Sequence, residues 1–542
     1  MKIKKLIIFL LAALMLAAVA CTPAEKPEDD SSGEYTVRDE KLKASDPIDD
    51  HNIVFYEIFV GSFSDSDGDG IGDLRGIINR MDYLNDGDPD SGRSLGVEGL
   101  WLSPIFQSPS YHKYDVTDYY KVDPKFGTEE DLKELLDTCH ERGVKVILDL
   151  VINHTGRSNK WFSYFTAAHK DGDTASEYYD FYTWYDSAVE SAPAGRKFAQ
   201  IAGTKHYYEC NFSGDMPELN YDSPAVRQTV VDIAKYYIDL GVDGFRFDAA
   251  KYVYFGDHAR SLEFWIEYLD KLRAMKPDIY TVAEVWDGDG ITDIYYKATN
   301  CFDFSISQAD GLIAETAKKG DVNKYTSYVE AYQKRVGELR EGAVITPFIT
   351  NHDMDRAAGF LTVASGSMKV AANLYILGPG TPFIYYGEEL GMRGSRGGAN
   401  TDANRRLAML WGDGDTVKDP TGTTYKAENQ IETTAEDQMA DEYSLYTYYK
   451  KLLMIRRANP EIAHGSYTSL NLEGTKVGGF IAEYNGSKVL VIHNTTLSTK
   501  TIDLSTIPGI SVSELRAVIG MEDASLEGTV LTIGGQTSVV LK

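Results

Sequence analysis

Four short segments, far apart in the chain, each set a carboxylate in or at the end of an apolar run. They read Asp149-Leu-Val-Ile-Asn153-His154, Gly244-Phe-Arg246-Phe-Asp248, Val282-Ala-Glu284-Val-Trp286 and Thr350-Asn351-His352-Asp353. One such carboxylate alone is most simply a helix cap. Four in series, two in segments that also carry histidine and one two residues after arginine, suit an acid–base device better. Cleaving a glycosidic bond with retention takes an ionised carboxylate as nucleophile and a protonated carboxyl as acid, about 5–5.5 Å apart. Arg246 alternates in phase with Asp248, so both face one way and the cation is expected to hold Asp248 ionised. Glu284 lies between Thr281-Val-Ala and Val285-Trp286. Burial there, beside an anionic Asp248, is expected to raise its pKa toward that of a working acid. His154 and His352 can donate to sugar hydroxyls, and Asp353 can hold two hydroxyls with its two oxygens.

A second acidic group has another spacing. Asp65-Ser-Asp67-Gly-Asp69-Gly-Ile71-Gly-Asp73 sets oxygens at every second residue around glycines. These are the first nine positions of an EF-hand-type calcium loop, with a backbone carbonyl expected from Ile71. The twelfth position is Gly76 rather than Glu, which excludes a helix–loop–helix sensor. Four carboxylates this close repel one another without a cation. A structural calcium is expected, with magnesium or a merely solvated acidic turn as the alternatives.

The elements that must position these groups alternate along the chain. Short β-rich apolar runs occur at Ile53–Val60, Val97–Ile105, Val144–Ile152, Gly244–Phe247, Tyr280–Val285, Val344–Ile349 and Pro382–Tyr386, with another strand near Phe302–Ser307. Amphipathic stretches such as Glu129–Arg142 and Ser223–Leu240 lie between them, opened by Thr128 and Ser223 as N-caps. Eight strands with intervening helices predict an α/β fold, a parallel (β/α)8 TIM barrel over 51–152 and 223–458. In such barrels the chemistry sits at the C-terminal strand ends, where all four carboxylates fall. Residues 153–222 lack a clear helical period and are too long for a loop, so they read as a small domain inserted after strand three. After a helix at Ser444–Arg457, residues 459–542 turn to period-two strands between Gly, Asn and Ser turns, a separate antiparallel β-sandwich.

On these motifs the chain from about residue 52 to 460 resembles glycoside hydrolase family 13, the α-amylase family, whose catalytic signatures match the four segments in order. The resemblance implies Asp248 as nucleophile, Glu284 as general acid/base and Asp353 as transition-state stabiliser. It implies that Arg246, His154 and His352 accompany the sugar and that Asp149 supports the strand-three end. Tyr114, in Tyr111-His-Lys-Tyr-Asp-Val-Thr-Asp118, matches the tyrosine that stacks under the scissile-side sugar. The inserted domain, the C-terminal sandwich and a calcium loop after strand one are also family features. Classical α-amylases have a second calcium site at the asparagine that Asn153 matches. Two departures stand out. Strand four continues Ala249-Ala-Lys251-Tyr252, where Lys-His is common, which puts a leaving-group-side contact in doubt. Arg405-Arg406-Leu407-Ala408-Met409 carries Leu and Ala where a small residue and Pro are usual. The segment Met216-Pro-Glu218-Leu-Asn220 lies between the oligo-1,6-glucosidase and neopullulanase patterns.

The N-terminus reads as an address. Lys2, Lys4 and Lys5 precede the apolar run Leu6–Ala20, too short for a membrane span, so residues 1–20 are expected to be a secretory signal. Ala18-Val19-Ala20-Cys21 resembles a bacterial lipobox, which makes Cys21 the expected lipidation site; plain secretion is the alternative. Residues 21–50 read as an acidic tether. Cys139, Cys210 and Cys301 are odd in number and widely spaced, indicating neither disulfides nor zinc.

The whole chain carries 82 acidic against 54 basic side chains, a formal charge of −28. Phosphate-rich partners are repelled by that surface, so no nucleic acid is expected, and no membrane contact beyond the lipid anchor. The expected partner is an α-glucan, bound by a monomer at the bacterial cell surface or in the periplasm. An endo-acting α-1,4-glucan hydrolase leads. A glucosidase, debranching or transglycosylating relative and a catalytically silent glycan-binding protein remain open.

Overall fold

Parallel strands form one sheet in the order Asn300–Cys301, Tyr280–Ala283, Gly244–Phe247, Lys145–Leu150, Gly99–Leu102, Phe55–Ile58, Phe383–Tyr385. The remaining gap is bridged by Thr346, which pairs with Phe302, and by Phe348, which pairs with Phe383, both parallel. The chain is thus a (β/α)8 barrel. Its seventh strand, expected over Val344–Ile349, is reduced to these two bridges. Pro347 lies between them and has no N–H to donate, although its carbonyl still accepts from Phe383 N–H at 3.0 Å. The sixth strand begins at Asn300 rather than near Phe302, and turns follow from Asp303.

This computed structural model describes residues 33–542 apart from 40–41, 46, 49, 187–194, 363–364, 473 and 508–509. The expected signal segment 1–20 and Cys21 lie outside the described residues.

Residues two apart on a strand share a face, and the inward faces fill the barrel. Phe55, Trp101, Ile147, Tyr280, Val282, Phe302, Phe348 and Phe383 form that interior cluster. The next inward positions toward the C-terminal strand ends are Glu57 after Phe55, Asp149 after Ile147 and Glu284 after Val282. Arg246 follows Gly244 in the same way. A Cβ at Gly244 would lie 1.9 Å from the Tyr280 carbonyl oxygen, so only glycine lets these two strands approach.

The helix Glu129–Glu141 opens with the expected Thr128 cap, closed into a capping box by Asp131. Ser223 occupies the N-cap position of Pro224–Leu240 but makes no side-chain cap bond; proline in the first turn starts that helix instead. The insert contains a helix after all, Lys160–Asp171, capped by Asn159 and ended by left-handed Gly172. Phe162, Phe165 and Ala168 form its buried face, while Trp161 and Tyr164 on other faces mask the period. A three-stranded antiparallel sheet, Trp184–Tyr185, Tyr207–Glu209 and Phe198–Gln200, completes the insert.

The C-terminal region has two antiparallel sheets, one of six strands and one of three. Leu490 and Ile492 face the core between them, whereas Val489 and Val491 join the same apolar cluster as the barrel helices. The expected separate sandwich is therefore fused to the barrel through its larger sheet. The expected tether is also corrected where it is described. Thr36–Arg38 pairs antiparallel with Leu515–Gly520 as the edge strand of that sheet. Tyr35 sets its ring edge-on to Tyr443 and Tyr448, and Leu42 is buried. Apolar residues at 35 and 37 give even this acidic stretch a strand face. Cys139, Cys210 and Cys301 are free and buried.

Candidate active site

Strand register brings the first three carboxylates to one cation. Arg246 pairs with Asp149 on one side and with Val282, two residues before Glu284, on the other. Its guanidinium is fully buried. Nη1 donates to the two Asp149 oxygens at 2.8 and 3.0 Å and to Asp248 Oδ1 at 2.7 Å. Nη2 lies 3.0 Å from Glu284 Oε2. One cation shared three ways does not offset burial. Desolvation pushes Asp248 up to about 6, with Arg246 opposing and Asp149 adding. Asp248 therefore remains ionised at neutral pH, as expected, but Arg246 only partly offsets the burial that raises it. Glu284 is also raised, first by burial, with Arg246 opposing and Asp248 adding. Ala249, directly after Asp248, has φ 49°, a left-handed conformation that costs a residue with a Cβ about 1–3 kcal/mol. That turn aims its N–H at Glu284 Oε2, 2.9 Å away.

Asp353 is held by different cations. Its Oδ1 accepts from Arg406 Nη2 at 2.6 Å, its Oδ2 lies 3.1 Å from His352 Nε2, and Arg405 donates to its carbonyl at 2.7 Å. Burial opposes ionisation, yet His352 and Arg406 hold its carboxyl well below the usual range. With 32% of its side-chain surface open, it faces the cleft more than Asp248 or Glu284 does.

Tyr114 sits on the loop between the paired segments Phe106–Gln107 and Asp118–Val122. Its hydroxyl donates to Asp149 Oδ2 at 2.8 Å and meets His352 Nε2 at 2.7 Å. His154 is kept neutral, burial bringing it down to about 4, and its Nε2 donates to the Tyr114 carbonyl at 3.1 Å. Here, then, both imidazoles engage the protein rather than presenting free donors. Lys251 Nζ donates to the Trp286 carbonyl at 2.6 Å and pairs with Asp287 at 3.0 Å. Trp286 stacks on Phe304 with ring centroids 5.0 Å apart and remains 39% exposed. Phe212, from the insert, packs against Tyr252 and His154 and is also exposed.

Three residues of this centre were given no site role from the sequence. Glu57 bonds His352, Arg406 bonds Asp353, and Tyr111 accepts from Arg406 Nη1 at 3.1 Å. A carboxylate inside the apolar run Val54–Val60 was the available signal for the first. Tyr111 and His112 line a cavity of about 380 Å³, and Met354, Asp355 and Arg405 line another of about 600 Å³.

In the acidic loop, left-handed Gly68 and Gly70 turn the chain so that Asp65, Asp67 and Asp73 converge, with ligand oxygens all within 4.8 Å of one another. That donor set fits a hard divalent cation. Asp69 lies outside this trio and takes the Ile71 N–H at 2.7 Å. Asn153 is buried and donates to Glu218.

Residues 57–465 match the family model described as alpha amylase, catalytic domain. The chain is similar to "Alpha-amylase 3" of Dictyoglomus thermophilum, 34% identical over 91% of this chain and 93% of that one. It is also similar to an oligo-1,6-glucosidase of a Bacillus species, 29% identical over 81% of this chain and 98% of that one. Among solved structures, Eubacterium rectale Amy13B superposes with a TM-score of 0.84 at 32% identity, covering 96% of this chain and 99% of that one.

Proposed function

The chain belongs to glycoside hydrolase family 13, the α-amylase family, and from that premise we propose that it cuts internal α-1,4 bonds of starch-like glucans with retention. The observation that carries this is the unequal environment of three carboxylates around Arg246 and His352. Asp248 is ionised at neutral pH and attacks the anomeric carbon, forming a glycosyl ester as the bond to the leaving oxygen breaks. Glu284, raised by burial, gives its proton to that oxygen. In the second half-reaction Glu284 takes a proton from water, the water oxygen bonds the anomeric carbon, and Asp248 departs as carboxylate. Asp353, held anionic by His352 and Arg406, accepts from two sugar hydroxyls and strengthens its grip as positive charge develops.

Cleavage within a chain needs room for sugar on more than one side. The cavities beside Tyr111 and Asp355 and the exposed rings of Trp286 and Phe212 support such a groove. Asp65, Asp67 and Asp73 would hold a structural divalent cation, calcium in the first instance, which would tie the first barrel loop to itself. The test is to size products from amylose, pullulan and isomaltotriose. Mixed maltooligosaccharides early in amylose digestion are expected. Release of glucose alone, or preference for isomaltotriose, would favour the oligo-1,6-glucosidase reading, and preference for pullulan the neopullulanase one. No cleavage of any α-glucoside would point to a glycan-binding protein.

A further inference from the structure

Glu57 takes no part in the reaction above, yet it is only 2% exposed at the end of the first barrel strand, on the inward face beyond Phe55. A carboxylate stripped of water is stable only with an opposite charge or strong donors. Glu57 Oε1 lies 2.5 Å from His352 Nδ1. The other ring nitrogen, Nε2, lies 2.7 Å from the Tyr114 hydroxyl and 3.1 Å from Asp353 Oδ2. Tyr114 has one hydroxyl proton and directs it to Asp149 Oδ2, so its oxygen must accept from His352. Asp353 is an acceptor too, and Glu57, whose carboxyl burial raises, has His352 and Arg246 opposing that rise and holding it as the acceptor for Nδ1–H. Both ring nitrogens therefore carry protons, and His352 is an imidazolium.

We propose that Glu57 is a positioning residue that fixes the second proton on His352, thereby keeping Asp353 anionic and Tyr114 committed to Asp149. The inference rests on the roles given above to Asp248 and Asp353. The charged and titratable groups around the pair come from several elements. Tyr114 and Asp149 face the ring from the second and third β/α units, Asp353 adjoins it, and Arg406 Nε holds the His352 carbonyl at 3.1 Å. Arg246 and Tyr385 face Glu57. The rings of Trp101 and Phe59 cover other sides, with centroids 5.7 and 6.4 Å from the imidazole. Burial works against the cation, but Asp353 and Glu57 together bring His352 up to about 10. A raised imidazole pKa means the charge is present at all lower pH and is lost only as pH rises through that value.

Glu57→Gln keeps the size and the oxygen that accepts from Nδ1–H but removes the charge. His352 should then lose its second proton within the working range, turning a lone pair toward Asp353. On α-glucosyl fluoride, whose leaving group needs little help from Glu284, the wild type should stay active well into the alkaline range. E57Q should lose activity as pH rises through neutrality, mainly in kcat rather than KM, and Glu57→Asp should restore the alkaline arm. Ring-nitrogen NMR of histidine-labelled protein, with His352 assigned by its loss in His352→Gln, should show two protonated nitrogens at neutral pH. In E57Q it should show one. An unprotonated ring nitrogen in the wild type, or a wild-type alkaline arm in E57Q, would overturn the proposal. The NMR arm uses no substrate, so it stands or falls independently of the roles of Asp248 and Glu284, and its wild-type half does not require E57Q to fold.

Discussion

At the barrel mouth and in the loop after the first strand, this chain packs carboxylates at close quarters, and the two clusters are neutralised by different means. The first meets cations of the chain itself: Arg246 for Asp149, Asp248 and Glu284, His352 for Glu57, and His352 with Arg406 for Asp353. In the second, Asp65 accepts from the N–H groups of Asp67, Gly68 and Gly70 and from Thr416, and Asp73 from Ser66 and Gly76. Among the described residues no salt bridge closes on that loop's carboxylates. Fixed cations at unequal distances drive the pKa values of neighbouring carboxyls apart, which divides a cluster into nucleophile, acid and stabiliser. Backbone dipoles treat their acceptors more evenly and leave the negative charge in place for a diffusible ion to complete.

The hardest blow to the first cluster is Asp248→Asn. Turnover should fall by on the order of 10⁴-fold or more with the fold unchanged by circular dichroism, since an amide cannot form the glycosyl ester. Activity within tenfold of wild type would remove Asp248 from its role, as would early β-anomeric product in an NMR time course. Glu284→Gln should cost about 10²–10⁴-fold on glucans but far less on glucosyl fluoride; equal losses on both would show that the proton comes from elsewhere. A third measurement needs no mutation. Because Asp248 must be ionised and is pushed up to about 6, kcat/KM should fall about tenfold per unit as pH drops below that value. An acid limb displaced to the ordinary carboxylate range would mean Arg246 favours Asp248 over its other two partners.

The second cluster should respond in stability instead. Calcium at a hundredfold excess over its dissociation constant should add about 2.7 kcal/mol, seen as a melting shift of a few degrees. Chelation should remove that shift and spare low-temperature activity. Asp67→Ala should abolish the calcium dependence, whereas Asp69→Ala should only weaken it, because Asp69 stands outside the converging trio. An undiminished shift in Asp67→Ala would place the ion elsewhere.

What the sequence disclosed about this contrast follows from range. The carboxylates at Asp149, Asp248, Glu284 and Asp353 were legible because each lies in or at the end of a local apolar run, and local alternation also set Arg246 in phase with Asp248. The partition of Arg246 among three partners was not, since it depends on register between strands remote in sequence. Arg406 was visible as part of a motif, but its contact with Asp353 spans loops that only the closed barrel brings together. Strand seven was overread because apolar residues flank Pro347, whose missing N–H outweighs the pattern. The insert's helix was underread because aromatics occupy more than its buried face, although Asn159 and Gly172 marked its ends. The edge strand at Thr36–Arg38 lay hidden in an acidic stretch, since pairing depends on the partner's backbone as much as on local composition.

That edge strand has a mechanical consequence. Arg38 contacts Asp523 and the Ala524 carbonyl, Lys451 pairs with Asp39, and Tyr35 wedges between two rings of the Leu445–Arg457 helix region. A pull on the chain ahead of residue 33 therefore enters through a clasp on the C-terminal sheet. The load passes into that sheet and its flanking helix, bypassing the barrel strands that follow in sequence. Until the clasp unzips, tension on this end reaches the carboxylates only through the packing of that sheet and helix against the barrel.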